Sequence, residues 1–390
     1  MERIVIVGAS LAGLRAAERL VRCRSDATVT LIGEEPHFPP FDRPHLSKKL
    51  LTGEIDESQG RLRTDFAVSR TVLGDRATGL DLVRRIVATA SGKTFPFDTL
   101  VIATGAVARS LPQVSGPATY TLRSYADCQA IVQHLAPGAS VAVVGAGFIG
   151  CEVAASLRRL DQEVYLIEAG LSPLPSFGDS LLSDYVTRLH RQNGVNLRLG
   201  AQVRHLDRVG NVMRLRLDDE SCVEASMVIV GVGAKPQTAW LDGSGLSVED
   251  GVLCDATGRS VSHPEVFAIG DVARWWNPRT QAHERKEHWT SALTQAQIVA
   301  QTVSGVEVVV PDHLDYVWSD QHGVKIQMLG RAAAPELIAG DPQDDSFAVA
   351  YYDGTLLVGA TLVNRQRLFP LVRRLLESNA TRAHVSEALR

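Results

Sequence analysis

One stretch decides the fold of this chain: residues 141–150 read VAVVGAGFIG. The first four residues are typical of a buried parallel strand, and the next six form a Gly-x-Gly-x-x-Gly turn. Residues 151–160 have a helical pattern, and a second strand at residues 163–168 ends on Glu168, 23 residues after Gly145. A strand, a tight turn, a helix and a second strand make the βαβ unit that binds a dinucleotide. We predict such a unit here.

Each glycine of this turn has its own physical task. Gly145 permits the tight turn, Gly147 lets a pyrophosphate approach the backbone, and Gly150 allows the helix to pack closely on the strand. The N-terminus of the helix attracts phosphate. Glu168 can bind both ribose hydroxyls and would repel a 2′-phosphate, so we predict NADH rather than NADPH. A glycine-rich turn can also be purely structural, but the flanking strands and Glu168 favour nucleotide binding.

A second copy of the pattern opens the chain at residues 4–13, IVIVGASLAG, with Ser10 where the second glycine usually stands. The strand that follows, residues 28–32, is succeeded by Glu34 and Glu35. Thr104-Gly105 and Gly270-Asp271 come at the ends of two more predicted strands. An aspartate such as Asp271 is often only a helix cap. Taken together, these features predict a second dinucleotide, most simply FAD.

The predicted fold class is α/β, with two Rossmann-like dinucleotide-binding domains and a smaller C-terminal α+β domain. The length of 390 residues allows two to four domains. We predict a discontinuous FAD-binding domain at 1–110 and 236–310, an NAD-binding domain at 111–235, and the C-terminal domain at 311–390. The last contains strand candidates at 325–329, 347–352 and 356–362, then a helix at 367–377.

Composition excludes several classes of protein. The net charge of -4 gives no general attraction to nucleic acid or to an anionic membrane. The five cysteines contain no CxxC pair, which argues against a disulfide framework, a zinc ribbon or a Cys-ligated iron–sulfur cluster. The histidines show no metal-binding spacing, and we predict no metal. Without a signal peptide pattern or an apolar run of 18 residues, we expect a cytoplasmic protein.

Six further motifs carry a resemblance to a known family. The chain resembles the FAD-containing, NADH-dependent ferredoxin reductases of bacterial aromatic-ring dioxygenase and haem monooxygenase systems, which are flavoproteins similar to glutathione reductase. The motifs are FDRPHLSK at 41–48, LRS at 122–124, AIGDV at 268–272, EHW at 287–289, WSDQ at 318–321 and VNR at 363–365.

The resemblance implies a set of FAD-binding residues. They comprise Gly8, Ser10, Ala12 and Gly13 at the pyrophosphate, Glu35 or Glu34 at the ribose, and Arg43, Lys48, Ala77, Thr104, Gly105, Arg123, Asp271, Trp289 and Trp318 elsewhere along FAD. In the NAD-binding domain it implies that Phe148 and Ile149 line NADH beside Gly145, Gly147, Gly150 and Glu168, that Glu152 approaches the nicotinamide, and that Gly233 lies at the floor of the cleft. Lys48, Glu152 and Trp318 are the implied catalytic residues.

Disulfide reductases of this architecture carry a Cys-x4-Cys pair in the helix after the first acidic strand end, where this chain reads RPHLSK. The flavin should therefore pass electrons to an external acceptor rather than to an internal dithiol. The resemblance implies a 2Fe-2S ferredoxin that feeds a terminal oxygenase, with Lys48 favouring electron-rich flavin. Two alternatives stay open: rubredoxin, a quinone or dioxygen as acceptor, and an NADH-responsive binding protein similar to apoptosis-inducing factor.

Overall fold

The computed structural model describes residues 1–64, 70–175, 180–308 and 314–389. Contacts within the chain group it into two units. Unit 1 contains Met1–Asp42, Arg61–Val107 and Ala234–His313, and unit 2 contains Arg43–Gly60, Ala108–Gly233 and Leu314–Arg390.

The described residues form seven α-helices. They are α1 (Leu11–Cys23), α2 (Tyr125–His134), α3 (Phe148–Arg159), α4 (Ser180–Gln192), α5 (Trp289–Val303), α6 (Phe369–Glu377) and α7 (Arg382–Ala388). Helices α1 and α5 belong to unit 1, and the other five belong to unit 2. Short 3₁₀ turns lie at Arg43–His45, Pro112–Val114, Ala239–Leu241, Gly270–Val272, Pro342–Asp344 and Gln366–Leu368. None of the described helices combines the length and the apolar character needed to cross a membrane.

Unit 1 is built on a five-stranded parallel sheet. In order across the sheet, the strands are Val266–Ala268, Thr99–Ile102, Glu2–Val7, Ala27–Ile32 and Arg70–Val72. The central strand is apolar because both of its faces are covered, and Ile4 and Ile6 have no exposed surface. The chain order reverses beside this strand, so the carboxyl ends of Glu2–Val7 and Thr99–Ile102 form the crevice in which such sheets bind ligands.

Unit 1 also contains three smaller sheets. The first contains Ala77–Asp81, Ile86–Thr89 and Thr94–Pro96, and the second contains Val252–Cys254, Ala273–Asn277 and Ala282–Arg285. The third pairs Ala234–Pro236 with Ala106–Ala108, of which Ala106 and Val107 belong to unit 1. The predicted strand at residues 266–271 is shorter than expected. It ends at Ala268, and Gly270–Val272 forms a 3₁₀ turn that begins on the positive φ of Gly270, +72°.

Unit 2 repeats the parallel arrangement. The strands of its parallel sheet are, in order, Asn196–Leu199, Glu163–Glu168, Ser140–Val144, Met227–Val230 and Thr119–Thr121. A second, antiparallel sheet contains Val203–Val209, Val212–Leu217 and Cys222–Ala225. The helix expected at residues 151–160 begins three residues earlier, at Phe148, because the glycine-rich turn leads directly into it.

The C-terminal part of unit 2 is an antiparallel five-stranded sheet with helices α6 and α7. Its strands are, in order, Tyr316–Gln321, Val324–Gly330, Leu356–Val363, Ser346–Asp353 and Ala334–Asp341. The helix expected from residue 367 begins at Phe369, with a proline in its first turn. The predicted fold class, two Rossmann-like parallel-sheet units and a smaller C-terminal α+β part, is confirmed.

The predicted boundaries of three domains stay a prediction, and the boundary between residues 310 and 311 lies outside the described residues. The contact grouping differs from the prediction in two respects: it places Leu314–Arg390 in one unit with Ala108–Gly233, and it moves residues 43–60. Residues 43–60 were expected in the first domain, but they belong to unit 2. Ser47 and Lys48 of this segment make polar contacts with Glu152 inside unit 2.

Candidate functional site

The first glycine-rich turn requires its glycines. Gly8 has a φ of +117°, and a Cβ there would lie 2.1 Å from the carbonyl oxygen of Ala103. A Cβ on Gly13 would lie 1.8 Å from the carbonyl oxygen of Gly8. Because these neighbours are backbone atoms, no side-chain movement could make room. The strand Glu2–Val7 and helix α1 are thereby held in the close packing of a dinucleotide-binding turn.

The N-terminus of α1 suits an anion. Ser10 is the N-cap residue but makes no side-chain capping hydrogen bond, and the first turn holds no acidic residue. The turn around Asp271 lies against it, since a Cβ on Gly270 would be 3.1 Å from the Cβ of Ala12. The predicted residues Gly8, Ser10, Ala12, Gly13, Thr104, Gly105 and Asp271 thus all occur in this part of unit 1. A pyrophosphate fits this environment.

The other unit 1 residues predicted to bind FAD are more dispersed. Glu34 is exposed and Glu35 is half-buried after the strand Ala27–Ile32, and the carbonyl of Glu35 accepts a hydrogen bond from Gly74. Ala77 is buried at the start of its strand. Trp289 opens α5, and its indole Nε1 donates to the carboxylate of Asp42 at 2.9 Å. These roles stay a prediction.

The second glycine-rich turn, in unit 2, is equally constrained and has one open position. A Cβ on Gly145 would lie 2.4 Å from the carbonyl oxygen of Gly231, and one on Gly150 would lie 1.9 Å from that of Gly145. A Cβ on Gly147 would meet no atom within 4 Å. Gly147 is the N-cap of α3, and the first turn has no acidic residue. The space beside Gly147 therefore suits a phosphate at the helix N-terminus.

Glu168 is fixed at the end of its strand. Its Oε2 accepts a hydrogen bond from the amide of Ala146 at 2.7 Å, and its Oε1 accepts one from Gly170 at 2.8 Å. Each oxygen keeps a second lone pair for a ligand hydroxyl. Phe148 is half-buried and Ile149 is 44% exposed at the start of α3. Gly233 has a φ of +95°, and its carbonyl accepts a hydrogen bond from the amide of Arg109.

A buried polar cluster unites the three predicted catalytic residues. The Lys48 ammonium lies 3.0 Å from Glu152 Oε1 and 3.1 Å from Asp320 Oδ2. It also lies 5.8 Å from the centre of the Trp318 ring. Segment 43–60 contributes Lys48, α3 contributes Glu152, and the strand Tyr316–Gln321 contributes Trp318 and Asp320.

Two serines complete the cluster. Ser47 Oγ donates to Glu152 Oε2 at 2.6 Å, and Ser319 Oγ donates to Glu152 Oε1 at 2.7 Å. Burial raises the pKa of Glu152, and Lys48 and the two hydroxyls oppose that rise. Burial also acts to raise the pKa of Asp320, but Lys48 and Lys325 together lower it. The cluster places Lys48 between the buried carboxylate of Glu152 and the partly exposed carboxylate of Asp320.

The sequence motifs contained Ser47, Ser319 and Asp320, yet no role was assigned to them. Their only sequence signal was adjacency to Lys48 and Trp318 in two quoted motifs. Arg43 and Arg123 also meet in unit 2, because Arg43 Nη1 donates to the carbonyl oxygen of Arg123 at 2.8 Å. Cys151 is fully buried, and burial raises the pKa of its thiol, as expected for a packing residue. Within the described ranges, no three metal-ligating side chains are placed to hold an ion.

Comparison with known proteins gives two family matches. Residues 2–296 match the family described as pyridine nucleotide-disulphide oxidoreductase, and residues 316–388 match the family described as reductase C-terminal. The chain is 35% identical to the biphenyl dioxygenase system ferredoxin–NAD(+) reductase component of Paraburkholderia xenovorans (strain LB400), over 99% of this chain and 95% of that protein.

Solved structures show the same similarity. The ferredoxin reductase for the CYP199A2 system from Rhodopseudomonas palustris has a TM-score of 0.92 and 28% identity, covering 98% of this chain and 96% of that one. The covalent putidaredoxin reductase–putidaredoxin complex gives a TM-score of 0.91 and 26% identity, covering 99% and 95%. These similarities confirm the resemblance inferred from the motifs.

Proposed function

We propose, because the chain belongs to the pyridine nucleotide-disulphide oxidoreductase family, that it passes electrons from NADH through FAD to a 2Fe-2S ferredoxin. The ferredoxin would in turn supply a terminal oxygenase, as the name of the biphenyl dioxygenase relative suggests.

One observation carries this proposal: two glycine-rich turns, each followed by a helix with no acidic residue in its first turn, occur in a chain without a thiol pair. The five cysteines stand at residues 23, 128, 151, 222 and 254. Three of them, Cys128, Cys151 and Cys254, are buried, and burial raises the pKa of each thiol. Two bound dinucleotides can exchange electrons, but this chain offers no dithiol to receive them. The final acceptor is therefore an external molecule.

The chain's own residues would bind and orient the two cofactors. FAD bound there would supply the chemistry for two-electron exchange with NADH and one-electron exchange with the acceptor. The N-terminus of α1, with Gly8, Ser10, Ala12 and Gly13, would bind the FAD pyrophosphate. The N-terminus of α3 would bind that of NADH, and Glu168 would accept hydrogen bonds from the ribose. Lys48, paired with Glu152 and Asp320, would supply positive charge that favours electron-rich flavin.

The acceptor would dock through basic residues of the C-terminal part. The sequence offers Arg365, Arg367, Arg373 and Arg374 as candidates. Arg365 is half-buried, the other three are exposed on or beside α6, and Arg373 pairs with Glu377 at 2.8 Å. Ferredoxins are usually acidic, so these arginines would steer them electrostatically. Reversal of the charges at Arg367 and Arg374 should slow reduction of ferredoxin and flatten its dependence on salt, with NADH oxidation by a small artificial acceptor unchanged.

An anaerobic visible titration tests the whole proposal. The purified yellow protein is titrated with NADH and, separately, with NADPH, and a 2Fe-2S ferredoxin is then added. Bleaching of the flavin band by NADH, followed by reoxidation on addition of ferredoxin, supports the proposed path. If NADH bleaches the flavin but ferredoxin does not restore it, the acceptor is a different one. A colourless protein that binds no flavin contradicts the proposal altogether.

Cytochrome c reduction with and without ferredoxin then separates the acceptors. A requirement for ferredoxin supports the proposal, whereas equal rates without it favour direct transfer to rubredoxin, a quinone or dioxygen. A gel-shift assay with nucleic acid at physiological salt separates the reductase from a binding protein similar to apoptosis-inducing factor.

A further inference from the structure

A continuous chain of hydrogen bonds in unit 2 leads from a half-buried histidine to Glu152. His322 Nε2 lies 3.1 Å from His190 Nδ1, and His190 Nε2 lies 3.1 Å from Gln321 Oε1. Gln321 Nε2 donates to Ser319 Oγ at 3.0 Å, and Ser319 Oγ donates to Glu152 Oε1 at 2.7 Å. We name these four residues, His322, His190, Gln321 and Ser319, the polar chain. It ends on the carboxylate that pairs with Lys48.

The interior of the polar chain is sealed from water. His190, Gln321 and Ser319 have no exposed surface, whereas His322 is half-buried. Ser319 and Gln321 are two residues apart on one strand, so their side chains share a face. His190 comes from α4, 131 residues away from Gln321 in sequence. Such fully buried polar groups are costly unless each finds a partner, which makes their mutual orientation well determined.

The polar chain has a direction. An amide oxygen only accepts hydrogen bonds, so the nitrogen of His190 that faces Gln321 Oε1 must carry the proton. The other nitrogen of the neutral ring, Nδ1, then accepts from His322 Nε2. Gln321 donates to Ser319, which leaves the Ser319 hydroxyl hydrogen for Glu152. Every donor therefore points towards Glu152, and a carboxylate that receives donors on both oxygens is stabilised in its ionised form.

Protonation of Glu152 on Oε2 would leave Ser319 donating to Oε1 but would weaken that bond, because a neutral carboxyl oxygen is a poorer acceptor than a carboxylate. Protonation on Oε1 would reverse the direction of the polar chain. A proton on Oε1 would be donated to Ser319, whose own hydrogen would then need the oxygen of Gln321. The Gln321 amide would have to turn, present its nitrogen to His190, and leave His190 protonated on Nδ1 as donor to His322. Each ring keeps one proton and Gln321 keeps two, so the only proton gained is the one on Glu152, taken from solvent.

We propose that His190 is a positioning residue that acts with His322 through Gln321 and Ser319. It helps to determine whether Glu152 is protonated, and hence whether a negative charge faces Lys48. His190 does this by fixing the orientation of the Gln321 amide. The inference rests on the proposed function and deepens it, because residues distant from Lys48 would influence the net charge of the Lys48–Glu152 pair. The control operates through hydrogen-bond direction, not through contact with a cofactor.

The charged groups around Glu152 are consistent with this role. Lys48 faces it from segment 43–60, and behind Lys48 lie Asp320 and Lys325. Burial lowers the pKa of His190 to about 4 and, together with His190 and Arg158, that of His322 to about 3. Both rings are therefore neutral near pH 7, as the tautomers of the polar chain require.

Infrared spectroscopy of the purified holoprotein tests the proposal. A protonated Glu152 gives a carboxylic acid C=O band, which the Glu152→Gln variant identifies by its loss. The pH midpoint of that band is measured in the wild type and in His190→Phe, His322→Phe and Ser319→Ala. Leu189→Ala is the matched control, because it removes buried side-chain volume from α4 next to His190, at a residue that is 3% exposed and outside the polar chain.

We expect the midpoint to rise by about one pH unit in both Ser319→Ala and His190→Phe. Ser319→Ala removes the donor to ionised Glu152, and His190→Phe frees the Gln321 amide to turn, so that Ser319 can donate to Gln321 instead. His322→Phe should shift the midpoint in the same direction by less, and Leu189→Ala should not shift it. A shift in Ser319→Ala alone would overturn the proposal, and so would no shift in any variant or a band that never forms. The measurement uses neither NADH nor ferredoxin. The proposed role of His190 can therefore be contradicted while the proposed function stands, and the proposed function can be contradicted while the role of His190 stands.

Discussion

Lys48 Nζ lies 3.0 Å from Glu152 Oε1, where the Lys48 side chain is 14% exposed and that of Glu152 is 5% exposed. Removing two charges from water is expensive, and their attraction compensates only when further hydrogen bonds satisfy the remaining polar atoms. Ser47 and Ser319 supply those bonds to Glu152, and Asp320 supplies one acceptor to Lys48. These contacts compensate the cost of burying the two charges. Loss of either Lys48 or Glu152 alone should therefore markedly lower the free energy of unfolding.

Lys48→Met should lower the free energy of unfolding at pH 7 by about 3–5 kcal/mol, because it leaves the buried Glu152 carboxylate unpaired. The double variant Lys48→Met/Glu152→Gln should recover most of that loss, since an amide needs no counter-charge. Urea denaturation measures both. Lys49→Met is the matched control, because Lys49 is the exposed neighbour in sequence. An equal loss in the double variant would show that Lys48 acts through packing instead.

The stability of Lys48→Met should depend on pH, and the pKa of Glu152 determines the sign of that dependence. Burial raises the pKa of Glu152 above its ordinary 4.5, so the folded state binds more protons than the unfolded state above that pH. The contribution of Glu152 to stability therefore falls as pH rises from about 4.5. Without Lys48 this fall should be steeper, and the deficit of Lys48→Met should shrink as the pH is lowered towards 4.5.

The lowered pKa of His190 predicts that stability depends on pH with the opposite sign. Burial lowers its pKa from 6.5 to about 4, so the unfolded state binds the proton first as the pH falls. The stability that neutral His190 contributes is complete above pH 6.5 and is lost between about 6.5 and 4, up to about 3 kcal/mol. His190→Gln should flatten this part of the stability curve measured by urea denaturation. A curve identical to that of the wild type would contradict the assignment.

Glu168 should determine which nicotinamide cofactor is used. Glu168→Ser removes the carboxylate that would bind the ribose hydroxyls and repel a 2′-phosphate. The expected result is a fall in kcat/KM for NADH of about tenfold, the equivalent of one lost hydrogen bond to a charged group, with a relative gain for NADPH. Glu163→Ser, on the exposed start of the same strand, is the control. Unchanged selectivity would remove Glu168 from the cofactor site.

Local patterns in the sequence were enough to predict both parallel-sheet units. The turns at Gly8 and Gly145 are specified by residues a few positions apart, and the strand Glu163–Glu168 was predicted with its observed bounds. Local patterns could not predict which polar side chains meet inside unit 2. Lys48 and Glu152 were named as catalytic from family resemblance, but their contact spans 104 residues and depends on tertiary packing.

The polar chain shows the same limit more clearly. The spacing of the histidines indicates no metal site, and nothing else in the sequence distinguishes His190 or His322. Their hydrogen bond joins α4 to the turn after the strand Tyr316–Gln321, across 132 residues. Residues 43–60 were assigned to the first domain by continuity of sequence. The structure groups them with unit 2, where Ser47 and Lys48 contact Glu152 across more than 100 residues of sequence.

Substitutions at two glycines of one turn, Gly147 and Gly150, should distinguish an effect on folding from an effect on cofactor binding. Gly150→Ala would place a Cβ 1.9 Å from the carbonyl oxygen of Gly145, so we expect unit 2 to lose about 2–3 kcal/mol of stability together with NADH binding. Gly147→Ala would meet no protein atom within 4 Å, and its φ of -73° suits alanine. The free energy of unfolding of Gly147→Ala should lie within about 0.5 kcal/mol of that of the wild type.

If the pyrophosphate of NADH approaches Gly147 as proposed, Gly147→Ala should nevertheless weaken NADH binding by about tenfold, the equivalent of about 1.4 kcal/mol. Urea denaturation and an anaerobic NADH titration measure the two effects separately. Gly79→Ala is a suitable control, because a Cβ there also meets no atom within 4 Å and the residue lies on a strand of unit 1. Normal NADH binding by Gly147→Ala would place the pyrophosphate away from this turn, because the methyl group would otherwise occupy its space.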